Sequence, residues 1–381
     1  MGPPVKIIRL VIILIFLFIA AGSYAESSRY VRVLVLADAE SFSLKVDGFY
    51  EIEDALTKEV LYRGEGLKTA VLFYKGGIAI GKINARSNKV FIRADNAGVI
   101  AVNGRKFRGD IQLIGKDNLH LQAVNYVDPE DYIKGILYHE SSHYWPLEAL
   151  KAQAVSCRTF ALYQMRENLA KDYDVTSDIY SQVYGGKTSE RYRTNKAVEE
   201  TKSEVLAYQG KVFPAYYHAT CGGSTEDAAL LWNTDILPLK GVLCGFCRES
   251  PHYNWHLVLP QSKIIDELSK AGYNGFKKIK NIEIIEKDLS GRNKILKLIT
   301  DKNDVRISAK DFRNIIGPNV IRSTKFNTEI AGEDAVFIGF GWGHGAGLCQ
   351  WGAYFMAKQG YNYQDILKFY YPGADVETIR F

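Results

Sequence analysis

Short hydrophobic runs with interspersed polar positions dominate the chain from Arg29 to about residue 120. Such runs are typical of β-strands when Gly, Asn and Asp separate them. The runs read VRVLVLADA, SFSLKV, TAVLFY, KVFIRA, GVIAV and IQLI. Between the last two, Asn103-Gly104 is the strongest two-residue signal for a β-hairpin. The pattern therefore predicts a β-rich N-terminal domain over 26–120, a small sandwich or barrel, with Leu119–Val127 as the strand that follows it.

The apolar spacing changes to a helical period over residues 132–165. An apolar turn precedes Glu140, and a long helical pattern starts at Leu147. Pro146 is favoured in the first turn of a helix, because its missing N–H costs nothing there. The pattern predicts two helices with a break at Ser141–Trp145 and with Glu140 at the break.

The rest of the chain contains both strand-like alternation and helical spacing of its apolar residues. A helix is predicted over Thr188–Thr201, strands over Glu204–Tyr208 and Val212–Tyr217, a hairpin and a short helix after residue 290, and a last helix that opens near Gln350. The fold class predicted is α+β: a β-rich N-terminal domain followed by a mixed α/β domain over 121–381, whose central helix carries Glu140.

The N-terminus has the plan of a secretory signal peptide. Lys6 and Arg9 precede an apolar run from Leu10 to Ala21, and Ser23-Tyr24-Ala25 offers small residues for cleavage. The run is shorter than the roughly 20 residues that span a bilayer. We therefore predict that residues 1–25 are a signal peptide cleaved after Ala25 and that the protein is exported; the alternative is an N-terminal membrane anchor.

Composition excludes some classes of protein. With 47% hydrophobic and 24% charged residues, no large part of the chain need be disordered. The net charge of +5 is mild and scattered, which argues against a nucleic-acid partner.

Glu140 lies among aromatic and histidine side chains in the sequence, between Tyr138-His139 and His143-Tyr144. A carboxylate among rings is poorly solvated, which raises its pKa, and a raised carboxylic acid can serve as the general acid in glycosidic cleavage. If His139 and His143 were protonated, their positive charge would lower the pKa of Glu140. The alternative is that Glu140 merely caps a helix.

Several long motifs resemble one known family. They are Glu140 followed by LEALKAQAVSCRTFAL, the segment YHATCGG at Tyr217–Gly223, SGR at Ser290–Arg292, and GWGHGAGLCQWGAYFMAKQGYNYQDILKFYYP at Gly341–Pro372. Together they resemble, in order, the motifs of the sporulation stage II protein D and amidase-enhancer (SpoIID/LytB) family. The resemblance covers roughly Val124 to the C-terminus.

The resemblance implies a peptidoglycan lytic transglycosylase that cleaves wall glycan strands with Glu140 as its single general acid and base and leaves 1,6-anhydro ends. Ordinary glycosidases need two carboxylates, whereas here the 6-hydroxyl of the sugar itself attacks. The alternative is a non-catalytic, glycan-binding enhancer of a cell-wall amidase. A third possibility is a scaffold in which Glu140 is vestigial.

The resemblance also implies a set of substrate-binding residues in the catalytic domain: Lys151, Arg158, Tyr184, His344 and Gln350. Lys151 and Arg158 are seven residues apart and fall on one helix face. They could hold the glycan or orient Glu140; the alternative for each is a structural salt bridge. Glycines on both sides of His344 would allow close backbone approach to a ligand.

Two pairs of potential metal ligands follow the helices. His218-x-x-Cys221 and Cys244-x-x-Cys247 have the spacing of a tetrahedral Zn²⁺ site with two ligands from each pair. Four protein ligands would make the zinc structural. We therefore predict that His218, Cys221, Cys244 and Cys247 bind one Zn²⁺.

Other arrangements of these residues stay open. His252 or His256 could replace His218 as a ligand. A disulfide between Cys244 and Cys247, or from Cys221 to one of them, is the alternative to zinc in an exported protein. An odd number of cysteines, five, argues against a complete disulfide framework.

Overall fold

A computed structural model describes residues 29–95, 98–116, 119–178 and 181–380. The predicted signal peptide, residues 1–25, lies outside the described residues. Within them, no helix is both long and apolar enough to cross a membrane.

The N-terminal part is rich in β-strands, as the alternating pattern predicts, and its strands pair into one large sheet. Its strands are β1 (Val31–Ala39), β2 (Ser41–Asp54), β3 (Val60–Tyr74), β4 (Gly77–Ile80), β5 (Ile83–Ala85), β6 (Lys89–Ala94), β7 (Val99–Val102), β8 (Arg105–Phe107), β9 (Asp110–Gly115), β10 (Leu121–Val127) and β11 (Val175–Thr176). The strand order is β11-β1-β10-β9-β6-β2-β3-β4-β5, with β7 paired to β2 and β8. Only β1 and β11 are parallel in this sheet among the described residues; the other pairs are antiparallel.

The hairpin predicted at Asn103-Gly104 is confirmed. Val102 pairs with Arg105 across a two-residue turn, and both turn residues have positive φ angles, 47° and 81°. A type I′ turn requires this conformation, which Asn and Gly adopt with little strain.

The two predicted helices and the break between them are also confirmed. Helix α1 (Pro129–Glu140) starts after Asp128, whose side chain accepts the Glu130 N–H. Helix α2 (Leu147–Glu167) follows Pro146, which is the N-cap and not the first helical residue. Glu140 is thus the last residue of α1, beside the non-helical segment that leads to α2.

The remaining elements alternate between short helices and small sheets. The helices are α3 (Tyr192–Glu200), α4 (Ala228–Trp232), α5 (Gln261–Lys270), α6 (Ala309–Ile316), α7 (Gln350–Lys358) and α8 (Tyr363–Tyr370). The strands are β12 (Glu204–Tyr208), β13 (Lys211–Val212), β14 (Tyr217–His218), β15 (Asn254–Pro260), β16 (Ile279–Lys287), β17 (Asn293–Thr300), β18 (Val305–Ser308), β19 (Phe326–Ala331), β20 (Asp334–Phe340), β21 (Leu348–Cys349) and β22 (Asp375–Thr378). Short 3₁₀ turns cover Gly186–Ser189, Leu237–Leu239 and Phe246–Glu249.

Helix α2 lies between two hydrophobic cores. Leu150, Ala154 and Cys157 pack in the core of the large sheet, whereas Ala152 and Val155 pack in a second core with α7 and α8. A separate third core lies between β15–β20 and helices α5 and α6. Because both faces are buried, the helix can hold residues from distant parts of the chain around the end of α1.

The fold is α+β, as predicted. The domain division at residue 120 stays a prediction. Strand β10, which follows that point, pairs with β1 and β9 of the large sheet and leads directly into α1. The sheet thereby positions the helix that ends at Glu140.

Candidate active site

Glu140 lies where two hollows meet. The larger one, which we call the main cleft, has a volume of about 650 Å³. The smaller one, the side pocket, has a volume of about 300 Å³. Both are lined by Glu140, Ala219, Trp342 and Gln350. The two hollows therefore adjoin at Glu140.

Burial dominates the electrostatics of Glu140. It raises the pKa of Glu140 to about 7, while hydrogen bonds from Val183, Tyr217 and Gln350 act in the opposite direction. The Val183 N–H donates to Oε1 over 3.3 Å. At neutral pH the carboxyl group is thus protonated in a large fraction of molecules, which a general acid requires.

The histidines beside Glu140 in sequence are engaged elsewhere. The His139 ring contacts the Ser189 hydroxyl, with 2.6 Å between Nε2 and Oγ, and the His143 ring stacks on Tyr144 with 3.9 Å between centroids. The causes that shift the pKa of Glu140 are burial and three hydrogen bonds, and none of these bonds comes from a histidine.

A chain of hydrogen bonds supports the Tyr217 hydroxyl beside Glu140. Gln182 Nε2 donates to the Tyr217 oxygen over 3.0 Å, and Gln182 Oε1 accepts from the Tyr132 hydroxyl over 3.0 Å. Gln182 is buried. The network holds the Tyr217 side chain in place, and its hydroxyl lowers the pKa of Glu140, which favours the ionised carboxylate.

The Gly341–Gly347 segment forms one wall of the main cleft. Strand β14 pairs in parallel with β21, so that Tyr217 faces Leu348 and His218 faces Cys349. Gly343 has a φ angle of 114°, and a Cβ atom there would approach the His218 Cβ to 2.7 Å. This glycine therefore permits close contact between two parts of the protein, and it also lines the main cleft.

His344 lines the main cleft, in agreement with its predicted place. Burial and the nearby Arg313 guanidinium lower the pKa of His344 to about 3, so the ring is neutral. Its Nδ1 accepts the Ala346 N–H over 3.1 Å. Gln350 also lies beside the acid: its Nε2 donates to the main-chain oxygen of Glu140 over 3.0 Å.

Aromatic rings flank both hollows. In the main cleft Tyr216 stacks on Trp232, with 4.2 Å between centroids and 30° between planes. In the side pocket Trp145 and Trp351 lie with their centroids 5.0 Å apart. Such rings offer flat apolar surfaces of the kind that sugars stack on.

Two cations contribute to the far wall of the main cleft. Lys310 and Arg313, both from α6, line it. The Arg313 guanidinium donates to the carbonyl oxygens of Ile321 and Pro318 over 3.0 and 3.2 Å, while the Lys310 ammonium donates to the Leu231 oxygen. Because these partners are neutral carbonyls, the positive charge favours anionic groups on a ligand.

The structure corrects the role predicted for Arg158. Its side chain is fully buried and forms a two-pronged ion pair with Glu130, with bonds of 2.9 and 2.7 Å, and it donates to the Glu204 oxygen over 2.9 Å. It joins α1, α2 and β12 and has no surface for a glycan. Lys151 forms ion pairs with Glu148 and Glu200 at 2.9 and 2.8 Å. Both side chains form ion pairs, and neither is among the residues that line the two hollows.

Tyr184 is likewise a core residue and not part of the cleft wall. It is 2% exposed, and its hydroxyl donates to the Asn125 Oδ1 over 2.7 Å. The segment around it still builds the site, because Ser181 and Val183 line the main cleft. The sequence therefore indicated the right segment for the site, but the side chain it named, Tyr184, lies in the core.

Three of the four predicted metal ligands lie together. The sulfur atoms of Cys221, Cys244, Cys247 and Cys349 are all within 4.8 Å of one another. His218 is not part of this group: its Nδ1 lies 3.1 Å from the Ala346 oxygen, and its ring faces His344 at the main cleft. Cys349 lies with the three cysteines instead, because β21 runs beside β14.

Several residues of the site were not singled out from the sequence: Tyr217, Gln182, Val183, Lys310 and Arg313. Tyr217 lies inside the YHATCGG motif, and Gln182 and Val183 directly precede Tyr184, which the resemblance implied, so these were the available signals. Lys310 and Arg313 lie far from those motifs in the chain, and their place depends on how the third core packs against the cleft.

Two family models match parts of the chain. The model of the stage II sporulation protein family matches residues 117–208, and the model of a domain of unknown function matches residues 235–347. An uncharacterised protein of Brachyspira hyodysenteriae is 34% identical over 368 residues, which cover 93% of this chain and 94% of that protein. The chain belongs to the stage II sporulation protein D and amidase-enhancer family.

Two relatives in this family have functional names. An amidase enhancer of Bacillus subtilis is 27% identical over 86% of this chain, but the match covers only 52% of the enhancer. Stage II sporulation protein D of the same organism is 29% identical over 67% of this chain and 76% of that protein. Glu140 lies within the part matched by the family model.

Exchange of Tyr217 for Phe tests the hydrogen bond to the acid. Because this bond lowers the pKa of Glu140, its loss should raise that pKa and move the alkaline side of the pH–rate profile upward by up to about one pH unit. The matched control is Tyr216→Phe, which removes a hydroxyl from the same wall of the cleft. A profile that moves downward, or moves equally in both variants, would contradict the role given to Tyr217.

Proposed function

We propose that the protein is a peptidoglycan lytic transglycosylase that cleaves wall glycan strands with Glu140 as its single acid and base. The observation that carries the proposal is the composition of the two hollows. Among the described residues that line them, Glu140 is the only carboxylate. A hydrolase of the ordinary kind needs a second carboxylate to activate water or to attack the sugar. A transglycosylase does not, because the substrate supplies its own nucleophile.

In the proposed mechanism the protonated Glu140 first donates its proton to the glycosidic oxygen. The resulting carboxylate then accepts the proton of the sugar's 6-hydroxyl as that oxygen attacks the anomeric carbon. The 1,6-anhydro ring forms and the carboxyl group is regenerated. The N–H of Val183 and the hydroxyl of Tyr217 stabilise the carboxylate between the two steps.

The two hollows suit sugars on both sides of the bond that is cleaved. Trp232 and Tyr216 would contact the sugars in the main cleft, and Trp145 and Trp351 those in the side pocket. Peptidoglycan carries carboxylates on its lactyl groups or peptides, and the cationic wall of the main cleft is complementary to them. His344 and Gln350 complete the surface on which the glycan would lie.

A non-catalytic enhancer of a cell-wall amidase is the second candidate function. The similarity to the amidase enhancer of Bacillus subtilis favours it. A binding module needs the aromatic rings but has no use for a half-buried carboxyl group whose pKa is raised to about 7 and which a hydrogen-bond network supports. For this reason the enzyme is the better-supported proposal. In either case peptidoglycan is the partner, and we propose that the protein is exported to the wall or periplasm.

The two functions are separated by incubating purified, insoluble glycan with the protein alone and then together with a cell-wall amidase. The enzyme is expected to release soluble glycan fragments without the amidase. If the protein sediments with the glycan, releases nothing alone and yet accelerates the amidase, the enhancer function is correct and the enzymatic proposal fails.

The pKa of Glu140 predicts the pH dependence of cleavage. Because this pKa is about 7 and the reaction starts from the protonated form, the rate should be high below pH 7. Above it, the rate should fall about tenfold per pH unit as the protonated fraction decreases. The pH–rate profile on soluble glycan chains measures this. A rate that rises between pH 7 and 9 would mean that Glu140 does not act first as an acid.

A further inference from the structure

Four cysteines from three separate segments meet behind the wall of the main cleft. Cys221 follows β14, Cys244 and Cys247 come from the loop before β15, and Cys349 ends β21. All four are buried, with at most 1% exposure, and none forms a disulfide. Their sulfur atoms lie within 4.8 Å of one another.

This spacing fits one tetrahedral metal ion. A zinc–sulfur distance of about 2.3 Å places the sulfurs of a tetrahedral site about 3.8 Å apart. The Cys221 and Cys247 sulfurs are 3.4 Å apart, well above the roughly 2.05 Å of a disulfide bond. Four thiols converging on one point are more than a disulfide requires, whereas a zinc site with only sulfur ligands uses all of them.

The surroundings also suit thiolates. The Cys221 and Gly352 N–H groups donate to the Cys349 sulfur over 3.2 and 3.3 Å, and the Tyr370 hydroxyl lies 3.2 Å from the Cys244 sulfur. Such hydrogen bonds commonly support and orient metal-bound ligands.

Two cations lie beside the same group. Arg292 donates to the Cys221 oxygen over 2.8 Å, and Lys325 donates to the Gly222 oxygen over 3.1 Å. Both side chains are held at main-chain oxygens next to a cysteine. A divalent ion with four thiolates carries a net charge of −2, and nearby cations offset that charge in a buried place.

We propose that Cys221, Cys244, Cys247 and Cys349 bind one structural Zn²⁺. All four positions of the tetrahedron would be filled by protein, which leaves no open position for catalysis. Thiolate ligands in tetrahedral geometry favour zinc over magnesium or calcium, which prefer oxygen. His218, predicted from the sequence as a ligand, belongs to the cleft wall instead.

The position of the proposed ion gives it a role in the cleft. Cys349 directly precedes Gln350, which donates to the Glu140 main-chain oxygen, and Cys221 is two residues from Ala219, which lines both hollows. The ion would tie these two segments to the loop with Cys244 and Cys247. It would thus hold the cleft wall in place without touching the substrate.

The test is elemental analysis of the whole protein, purified without chelator, together with its intact mass under denaturing conditions. The expected result is one zinc per chain and a mass with all five cysteines reduced. Zinc-free protein would overturn the proposal, whether it is lighter by two hydrogens because of a disulfide or has five free thiols. Iron in place of zinc would overturn the identity of the metal.

Three variants identify the ligands. Cys349→Ser should lose most of the zinc, whereas His218→Gln should keep it. Cys157→Ala is the matched control, because this fifth buried cysteine lies outside the group and bonds Gln153; it should keep one zinc per chain. If the His218 variant lost its zinc and the Cys349 variant kept it, the fourth ligand would be His218, as predicted from the sequence, and not Cys349.

Cobalt substitution of the unaltered protein identifies the ligands by spectroscopy, so this test does not depend on whether the variants fold. Four thiolates should give the strong near-ultraviolet charge-transfer band and the intense visible bands of tetrahedral cobalt. Three thiolates and an imidazole would give a weaker charge-transfer band, and octahedral cobalt would be almost colourless. Either outcome would contradict the four-cysteine site, and neither measurement depends on whether the protein cleaves glycan.

Discussion

Glu140→Gln is expected to lower the rate of glycan cleavage by about a hundredfold or more. The amide has the shape of the carboxyl group and its oxygen can still accept the Val183 N–H, but it cannot transfer a proton. Glycan binding should persist, because the aromatic walls are unchanged. The matched control is Glu148→Gln on α2, a carboxylate that bonds the Tyr363 N–H away from the cleft.

The same variant should be more stable than the unaltered protein at alkaline pH. The pKa of Glu140 is raised from an ordinary 4.5 to about 7, so the unfolded chain releases this proton first. Stability is therefore lost as pH rises from about 4.5 to 7, by at most ~3 kcal/mol. A glutamine side chain does not ionise, so the variant does not lose stability in this way. Denaturant unfolding at pH 5 and pH 8 measures the difference.

The two measurements together decide the role of Glu140. Substantial residual cleavage by a folded variant would contradict the assignment of Glu140 as the general acid. Loss of cleavage accompanied by lower stability at pH 8 would instead show that Glu140 supports the fold as an ionised group.

Arg158→Met is expected to destabilise the protein by about 3–5 kcal/mol. The change leaves the Glu130 carboxylate buried without its two charged hydrogen bonds and removes the donor to the Glu204 oxygen. Breaking one side of a buried ion pair is much more costly than replacing both sides. The double variant with Glu130→Met should therefore recover part of the loss.

Lys151→Met is the matched control on the same helix. Its ion pairs with Glu148 and Glu200 involve carboxylates whose side chains are about one-third exposed, and such pairs contribute about 0–1 kcal/mol. Denaturant midpoints measure both variants. If Arg158→Met instead kept its stability and lost affinity for glycan, the substrate-binding role predicted from the sequence would be restored.

The sequence was most informative where the signal is local. Alternating apolar positions, the Asn103-Gly104 turn and the break at Ser141–Trp145 each depend on neighbouring residues, and each is found in the structure. The motifs were long enough to show the family and to place Glu140 at the end of a helix.

Tertiary contacts explain what the sequence could not show. Lys151 and Arg158 share a helix face, yet only Arg158 is enclosed by β12 and α1, and no periodicity reveals that difference. Cys349 joins three other cysteines because two short strands run in parallel, more than 120 residues apart in the chain. Spacing within a motif favoured His218, whereas strand pairing favours Cys349.

The central claim is tested most directly by mass analysis of glycan digested with the purified protein. Strands with stem peptides and strands without them should be digested in parallel. We expect products with 1,6-anhydro ends, each lighter by one water than a reducing end, and their absence with Glu140→Gln. Products with reducing ends would show hydrolysis, and intact strands from both substrates would show that the protein does not cleave glycan; either result would contradict the account.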